Sequence, residues 1–244
     1  MGAGMAITTP LIELEHLSLG WRHKLAVRDL SGQFLQGGLY AVVGPNGAGK
    51  SSLLKGLIGE LAPIQGRIHM HLNPSTDLAF LPQRANIDRS FPITVYDLVA
   101  LGTWNRTGYW RALNSAAHQA VHQALQTVGL ADFAARSIHT LSGGQFQRCL
   151  FARLLVQDAS VILLDEPFAA VDSQTTADLL QLVLQWHQQG RTVIAVLHEL
   201  DTVRQHFPIS VLLAGQLVAW GDSQQVLTPE NLHMARHLCA GDYL

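Results

Sequence analysis

The chain has 244 residues, is 48% hydrophobic and only 14% charged, and carries a net charge of −2. That describes a folded protein large enough for one domain with an inserted subdomain, and excludes a disordered or fibrous chain. The charge balance lacks the basic footprint of a nucleic-acid binder, so no nucleic-acid partner is expected.

The two cysteines, Cys149 and Cys239, are far apart and form no C-x-x-C pair, which argues against a structural zinc site or a disulfide and fits a reducing cytosol. Residues 1–10 lack the basic start and apolar centre of a signal peptide, and Ala6 stands where a myristoylation signal needs Ser or Thr. The longest apolar stretch, 209–220, is cut by Gly215 and Gln216, well short of the 18 or more residues of a membrane helix. A protein soluble by itself is expected.

In chain order, the alternation Ile12-Glu13-Leu14-Glu15 marks an edge strand over 11–19, and 26–34 reads as another. The turn Gln36-Gly37-Gly38 leads into an apolar strand, 39–43, and a helix opens near Lys50. Gly59 and Pro63 break the pattern, and 67–72 and 78–81 are two short strands. From Thr94 the period turns helical: Val95, Leu98 and Val99 share a face, Thr94 and Asp97 resemble a capping box, and Gly102 is a candidate stop. Helices follow at 115–128 and, briefly, 131–136. Residues 91–144 thus read as an inserted helical subdomain, with the aromatic loop 104–110 unassigned. Parallel α/β alternation resumes with a helix at 144–157, a buried strand at 161–164, a helix at 173–189 closed by Gly190, and a buried strand at 192–197. A hairpin over 211–220 turns at Gly215, and the tail 229–238 is a helix with Pro229 at its start.

Three motifs carry chemistry. Gly44-Pro45-Asn46-Gly47-Ala48-Gly49-Lys50-Ser51 has the spacing of a phosphate-binding P-loop. Its glycines let backbone N–H groups wrap phosphate oxygens, the helix start adds unsatisfied donors, Lys50 reaches the β- and γ-phosphates, and Ser51 is placed to ligate Mg²⁺. Val161-Ile162-Leu163-Leu164-Asp165-Glu166 is an apolar strand ending in two carboxylates. Such a strand delivers an acid to the ligand-binding edge of an α/β sheet, where Asp165 can hold Mg²⁺ through water and Glu166 can accept a proton from an attacking water. Leu141-Ser142-Gly143-Gly144-Gln145 opens a helix and forms a second anion-binding start. One chain has no evident need of two such sites around one nucleotide, so this one is expected to serve a nucleotide held by another subunit.

With these motifs in this order, the chain resembles the ATP-binding cassette (ABC) ATPases over nearly its whole length. The resemblance implies a P-loop NTPase core with a mixed, largely parallel sheet, N-terminal antiparallel strands and a helical subdomain. The boundaries expected are about 11–90 and 145–240 for the core and about 91–144 for the subdomain, all within one domain. It also implies ATP and Mg²⁺ as ligands, with two subunits closing head to tail so that each ATP lies between one P-loop and the opposite signature. On the residues alone Gln83 is a polar residue after a strand and His198 a strand-end histidine. The resemblance makes Gln83 the glutamine that approaches Mg²⁺ and the attacking water, and His198 the switch histidine on the γ-phosphate. It places Asp172 in the loop crossing the dimer interface, and Trp21 against adenine, although a core tryptophan is the alternative there. Ser52, beside Ser51, stands where Thr is commoner, and Glu199 where Asp is usual. The stretch Ala169-Ala170-Val171-Asp172 varies the crossing loop. No catalytic group is lost, so an active ATPase is expected.

The wording of Phe91-Pro92-Ile93-Thr94-Val95, Glu166-Pro167-Phe168 and 226–232 resembles the ATPase subunits of manganese/zinc importers. Iron–siderophore or haem transport and a non-transport role in DNA repair or translation are the alternatives. No coiled coil after Gln83 and no tandem cassette favours the latter, and intact Lys50, Glu166 and His198 argue against a scaffold without turnover. The partners implied are a second nucleotide-binding subunit, integral membrane permease subunits near 84–91 and Tyr96, and indirectly an extracytoplasmic binding protein. The chain would then sit in the cytoplasm, on the inner face of the membrane. Of twelve histidines, His118/His122 and His69/His71 form pairs at helix and strand spacing. Neither has an evident third ligand, so solvated surface histidines are expected.

Overall fold

A computed structural model describes residues 9–21, 24–83, 89–104, 113–169 and 171–241. Three strands, β1 (Pro10–Trp21), β2 (Lys24–Leu35) and β4 (Gln65–Met70), form an antiparallel sheet in the order β2-β1-β4. The larger sheet adds β3 (Leu39–Val43), β5 (Leu78–Leu81), β6 (Val161–Asp165), β7 (Thr192–Val196), β8 (Ile209–Leu213) and β9 (Leu217–Asp222), in the order β5-β6-β7-β3-β8-β9. It is parallel except for the β8/β9 hairpin.

Alternation explains the layers, because successive side chains of a strand point to opposite faces. Leu39, Ala41 and Val43 of β3, Ile162 and Leu164 of β6, and Val193 and Ala195 of β7 face one hydrophobic core. Tyr40, Val42, Val161, Leu163, Ile194 and Val196 face the other. The first core is closed by α3 (Val95–Ala100), α4 (Ser115–Thr127), α5 (Gly143–Gln157) and α6 (Ser173–Gln188). The second is closed by α1 (Lys50–Leu57) and the antiparallel sheet. Strands buried on both faces are continuous apolar runs, which is why β3, β6 and β7 were expected within a residue of where they lie.

Elements without an apolar stripe escaped that reading. The short helices α2 (Pro74–Asp77), α7 (Leu200–His206) and α8 (Ser223–Val226) bury no residue, Val203 alone, and Ser223 with Val226, respectively. The tail is α9 (Pro229–Gly241). Gly102 does not stop α3: a 3-10 turn, Leu101–Thr103, carries the helix through it. A Cβ at Gly102 would lie 2.5 Å from the Arg153 carbonyl oxygen, so glycine there permits close packing on α5. Thr94 caps α3 by accepting from Asp97 N, and the Asp97 carboxylate accepts from the Thr94 hydroxyl, so the reciprocal capping box is not made. The helix expected at 131–136 is a single 3-10 turn, Ala131–Phe133.

The ring pair Phe151 and Trp186 joins α5 to α6, with centroids 5.7 Å apart and planes 9° from parallel, both side chains buried. Trp186→Ala is expected to cost about 3–5 kcal/mol, typical of a buried aromatic deletion. Urea unfolding would read it as a lower midpoint at unchanged slope.

Candidate nucleotide site

Register brings the site together. In the parallel sheet Asp165 pairs with Val196, Val42 pairs with Val196, and Leu81 pairs with Leu164. The C-terminal ends of β3, β5, β6 and β7 therefore lie side by side. Just beyond them come Gly44, Gln83, Glu166 and His198, at the edge where α/β sheets bind ligands. Ala26, residues 46–52, Gln83 and Glu166 line one open cavity of about 330 Å³.

The loop needs its glycines. Gly49 caps α1 at φ 90°, and a Cβ there would lie 2.2 Å from the Ala26 carbonyl oxygen. Gly44 has φ 153°, and its Cβ would lie 2.1 Å from the Leu213 carbonyl oxygen. Lys50 donates from Nζ to the carbonyl oxygens of Gly44 (2.8 Å) and Pro45 (2.9 Å), folding its ammonium over the loop. Burial lowers its pKa, while Glu166 and Asp165 act in the opposite sense. A buried cation beside a glycine-rich loop and a helix start is a receptor for phosphate oxygens.

Ser51 Oγ donates to Asp165 Oδ1 at 3.1 Å. Asp165 is buried, and that burial is the first cause raising its carboxyl above the usual range; the Ser51 bond and Lys50 offset it in part. Hydroxyl and carboxylate together make an all-oxygen corner, a donor set that fits a hard cation such as Mg²⁺. Because the folded state holds the Asp165 proton more firmly than the unfolded one, this carboxyl favours folding at low pH. That contribution is lost as pH rises through its raised pKa. Asp165→Asn, which keeps an oxygen for Ser51, is therefore expected to melt at a higher temperature at neutral pH, with the gain vanishing below about pH 4. Calorimetry at the two pH values checks it, and an unchanged melting temperature at neutral pH would count against the burial argument.

Glu166 is one of few non-glycine residues with positive φ, at 51°. A left-handed residue with a side chain costs about 1–2 kcal/mol. The kink follows from its contacts: Glu166 N donates to Val196 O at 3.2 Å, continuing the β6/β7 ladder, while Ala169 N turns back to Glu166 O at 3.1 Å. The carboxylate is thereby aimed into the cleft, where Oε1 accepts from His198 Nε2 at 2.6 Å. A carboxylate held by an imidazole beside a phosphate cradle can orient and deprotonate a water.

The other expected positions fall around this centre. Trp21 ends β1, is 53% exposed and faces Lys55 Nζ at 5.4 Å from its ring centroid. It is no core tryptophan, and it is not among the residues lining the cleft with Lys50. Leu141 is buried, whereas Ser142 and Gly143 are exposed. Ser142 and Gln145 make a reciprocal capping box on α5, Gln145 N donating to Ser142 Oγ at 3.2 Å and Ser142 N to Gln145 Oε1 at 3.0 Å. Among the described residues lining the P-loop cleft, none comes from 141–145. Asp172 caps α6 through Thr175 N (2.9 Å) and Thr175 Oγ1 (2.8 Å), bonds that hold its carboxyl below the usual range. A Cβ on Gly144 would come within 3.3 Å of Asp172 Oδ2, so the signature and the crossing loop meet within one chain. Of that loop Ala170, and of the proposed permease contact residues 84–88, lie outside the described residues, as do 105–110 of the aromatic loop.

Sequence reasoning missed three residues here. Ala26 walls the cleft from β2. Gln147, two positions past the signature, donates from Nε2 to Pro167 O at 2.7 Å and so ties α5 to the loop after Glu166. Arg148 pairs with Asp178 at 2.6 Å, clamping α5 to α6. Ala26 reads only as one residue of a strand, and polar helix residues such as Gln147 and Arg148 carry no pattern that marks their partners, so no signal pointed to these three. The four paired histidines are exposed, as expected, and three of them are also hydrogen-bonded: His69 to Glu15 (3.2 Å), His71 to Glu13 (2.8 Å), and His118 to the Tyr96 hydroxyl.

A P-loop cradle, a buried carboxylate beside a serine, and a glutamate–histidine pair on a parallel sheet define a P-loop ATPase. The family model for ABC transporters matches residues 27–169, and the chain belongs to that family. It is 37% identical to the manganese transport system ATP-binding protein MntB of Listeria monocytogenes, covering 92% of this chain and 95% of that protein. It is 34% identical to the zinc transport system ATP-binding protein TroB of Treponema pallidum, covering 96% and 89%. Among solved structures, a metal-chelate type ABC transporter in an inward-facing conformation superposes with a TM-score of 0.83 at 30% identity, covering 94% of this chain and 90% of that one. A nucleotide-free ATP-binding cassette gives 0.80 at 20% identity, a likeness of fold. The chain is an ATP-binding ATPase subunit of an ABC transport system.

Proposed function

We propose that this ATPase powers import of a manganese- or zinc-type cation through partner permease subunits. The observation that carries the reading is the near full-length similarity to manganese and zinc transport ATP-binding proteins at 34–37% identity. The site geometry supports turnover by this chain. Residues 44–51 bind the phosphates, Lys50 neutralises the β- and γ-oxygens, and Ser51 with Asp165 would hold Mg²⁺, which supplies electrostatic stabilisation of the transferring phosphoryl group. Glu166 takes the proton of the attacking water, His198 orients that carboxylate and meets the γ-phosphate, and Gln83 lies across the same cleft. Trp21 packs on the adenine.

Two copies close head to tail, Leu141, Ser142, Gly143, Gly144 and Gln145 of one completing the P-loop site of the other, with Asp172 at the seam. The exposed Ser142–Gly143 helix start and its absence from the cleft of its own chain support that arrangement. The chain acts as one domain, with its core at about 11–90 and 145–240 and the helical subdomain at about 91–144 facing the permease. No described helix is long and apolar enough to cross a membrane. We place the protein in the cytoplasm, on the inner membrane face through the permease, with an extracytoplasmic binding protein delivering the cargo.

The test is affinity isolation of the tagged chain from membranes, followed by reconstitution of the recovered complex in vesicles. ATP-dependent Mn²⁺ or Zn²⁺ uptake is expected. Uptake of a ferric siderophore or haem with no response to either cation would overturn the cargo assignment.

A further inference from the structure

We propose that His233 and His237 form a surface chelate for a Zn²⁺-class cation on α9. The two residues lie at i and i+4, a spacing that puts side chains on one helix face. Both are exposed. Their Nε2 atoms are 3.0 Å apart, with ring centroids at 4.2 Å. At this distance the two imidazoles share one N–H, one nitrogen donating and the other accepting. Zn–N bonds of 2.0–2.1 Å separate two ligand nitrogens by about 2.9 Å at a right angle and about 3.3 Å at the tetrahedral angle. The observed spacing falls between these values, so a cation can take the place of the shared proton without moving the backbone. Ligation needs the lone pairs of both Nε2 atoms, so the ring that donated must carry its hydrogen on Nδ1 instead.

The other histidines with described partners are committed elsewhere. His16, His69 and His71 each face a carboxylate, and His118 is bonded to Tyr96. Among the described residues no three His, Cys, Asp or Glu side chains gather as a metal site. Water therefore completes the coordination at His233 and His237, and affinity belongs in the micromolar rather than the structural-zinc range. Paired imidazoles favour Zn²⁺, Cu²⁺ or Ni²⁺ over Mn²⁺ and Mg²⁺, so the site is chemically distinct from the Ser51–Asp165 corner and does not depend on the cargo assignment.

Its position gives it a consequence. Leu232, Ala235 and Arg236, on the same two turns, line a cavity of about 170 Å³ together with Gly44, Pro45 and His198. A cation spanning 233–237 would staple the helical turn that walls the start of the P-loop.

The test is a Zn²⁺ titration of the purified full chain, free of nucleotide and in excess Mg²⁺, against a chromogenic chelator. One Zn²⁺ per chain at micromolar affinity is expected, weakened at least about tenfold in His233→Gln and in His237→Gln, and unchanged in a His118→Gln/His122→Gln control. Imidazole ¹⁵N spectra of the unsubstituted chain should show Zn²⁺ shifting both Nε2 signals, a readout independent of whether the variants fold. Absence of micromolar binding, binding that survives loss of both histidines, or binding lost in the control would overturn the proposal.

Discussion

A Glu166→Gln variant is expected to bind ATP as tightly as the parent and to hydrolyse it about 10²–10⁴-fold more slowly, the usual contribution of a positioned general base. The substitution is a narrow one. Gln keeps an Oε1 to accept from His198 Nε2, now 2.6 Å from the carboxylate, and keeps the side-chain volume. The positive φ of 51° stays as strained as before, because it is set by backbone bonds to Val196 and from Ala169. Only the ability to take a proton disappears. Bound ATP should then hold two subunits together instead of being consumed. Phosphate release measured beside nucleotide-binding fluorescence and light scattering separates these effects. Wild-type turnover from the variant would remove Glu166 from the mechanism, and loss of ATP binding would give it a structural role instead.

Gly49→Ala is expected to lower ATP affinity by about 100-fold, the scale on which a loop displaced by about 1 Å degrades a positioned site. One methyl group is enough because nothing around it can yield. The new Cβ would meet Ala26 O at 2.2 Å and Val27 Cγ2 at 2.6 Å. Both belong to β2, and Val27 is fully buried and paired with Leu19 of β1. A flexible side chain could swing aside, whereas the backbone of β2, paired along its length with β1 and bridged through Arg28 to Gln216, cannot. At φ 90° the alanine is also in a region that L residues avoid. The loop must move, and its N–H groups then point away from the phosphates. Melting should change far less than binding, because the clash can be relieved by displacing the loop into the open cleft. Isothermal titration of the folded variant checks the expectation, and unchanged affinity would mean the loop tolerates a Cβ.

Much of this architecture was legible because burial writes itself into residue order. Strands covered on both faces are apolar at nearly every position, so 39–43, 161–164 and 192–197 stood out, and the glycines of 44–49 marked the loop between strand and helix. The dispositions set by register were not legible. Nothing in Asp165-Glu166-Pro167 announces that Glu166 takes positive φ; that follows from Glu166 N continuing the ladder to Val196. His69 and His71 could be placed on one face of a strand, but their partners Glu13 and Glu15 depend on how β1 pairs with β4, including the register shift between Glu15 and Ser18. The helix Leu200–His206 buries Val203 alone and leaves no stripe to read. Gly102 shows the opposite hazard. A glycine near a helix end reads as a stop, yet its use here is close approach to the Arg153 carbonyl.

If the P-loop of one subunit is completed by residues 141–145 of another, subunit mixing shows it most directly. Lys50→Ala removes the phosphate cation from the P-loop, and Ser142→Arg fills the signature helix start with a bulky cation. Each variant alone should be inactive in phosphate release, Ser142→Arg still binding ATP. Mixed in equal amounts they should regain measurable turnover, because the mixed dimer contains one site with an intact P-loop facing an intact signature. Full activity of Ser142→Arg alone, or no recovery on mixing two folded variants that associate, would contradict the account.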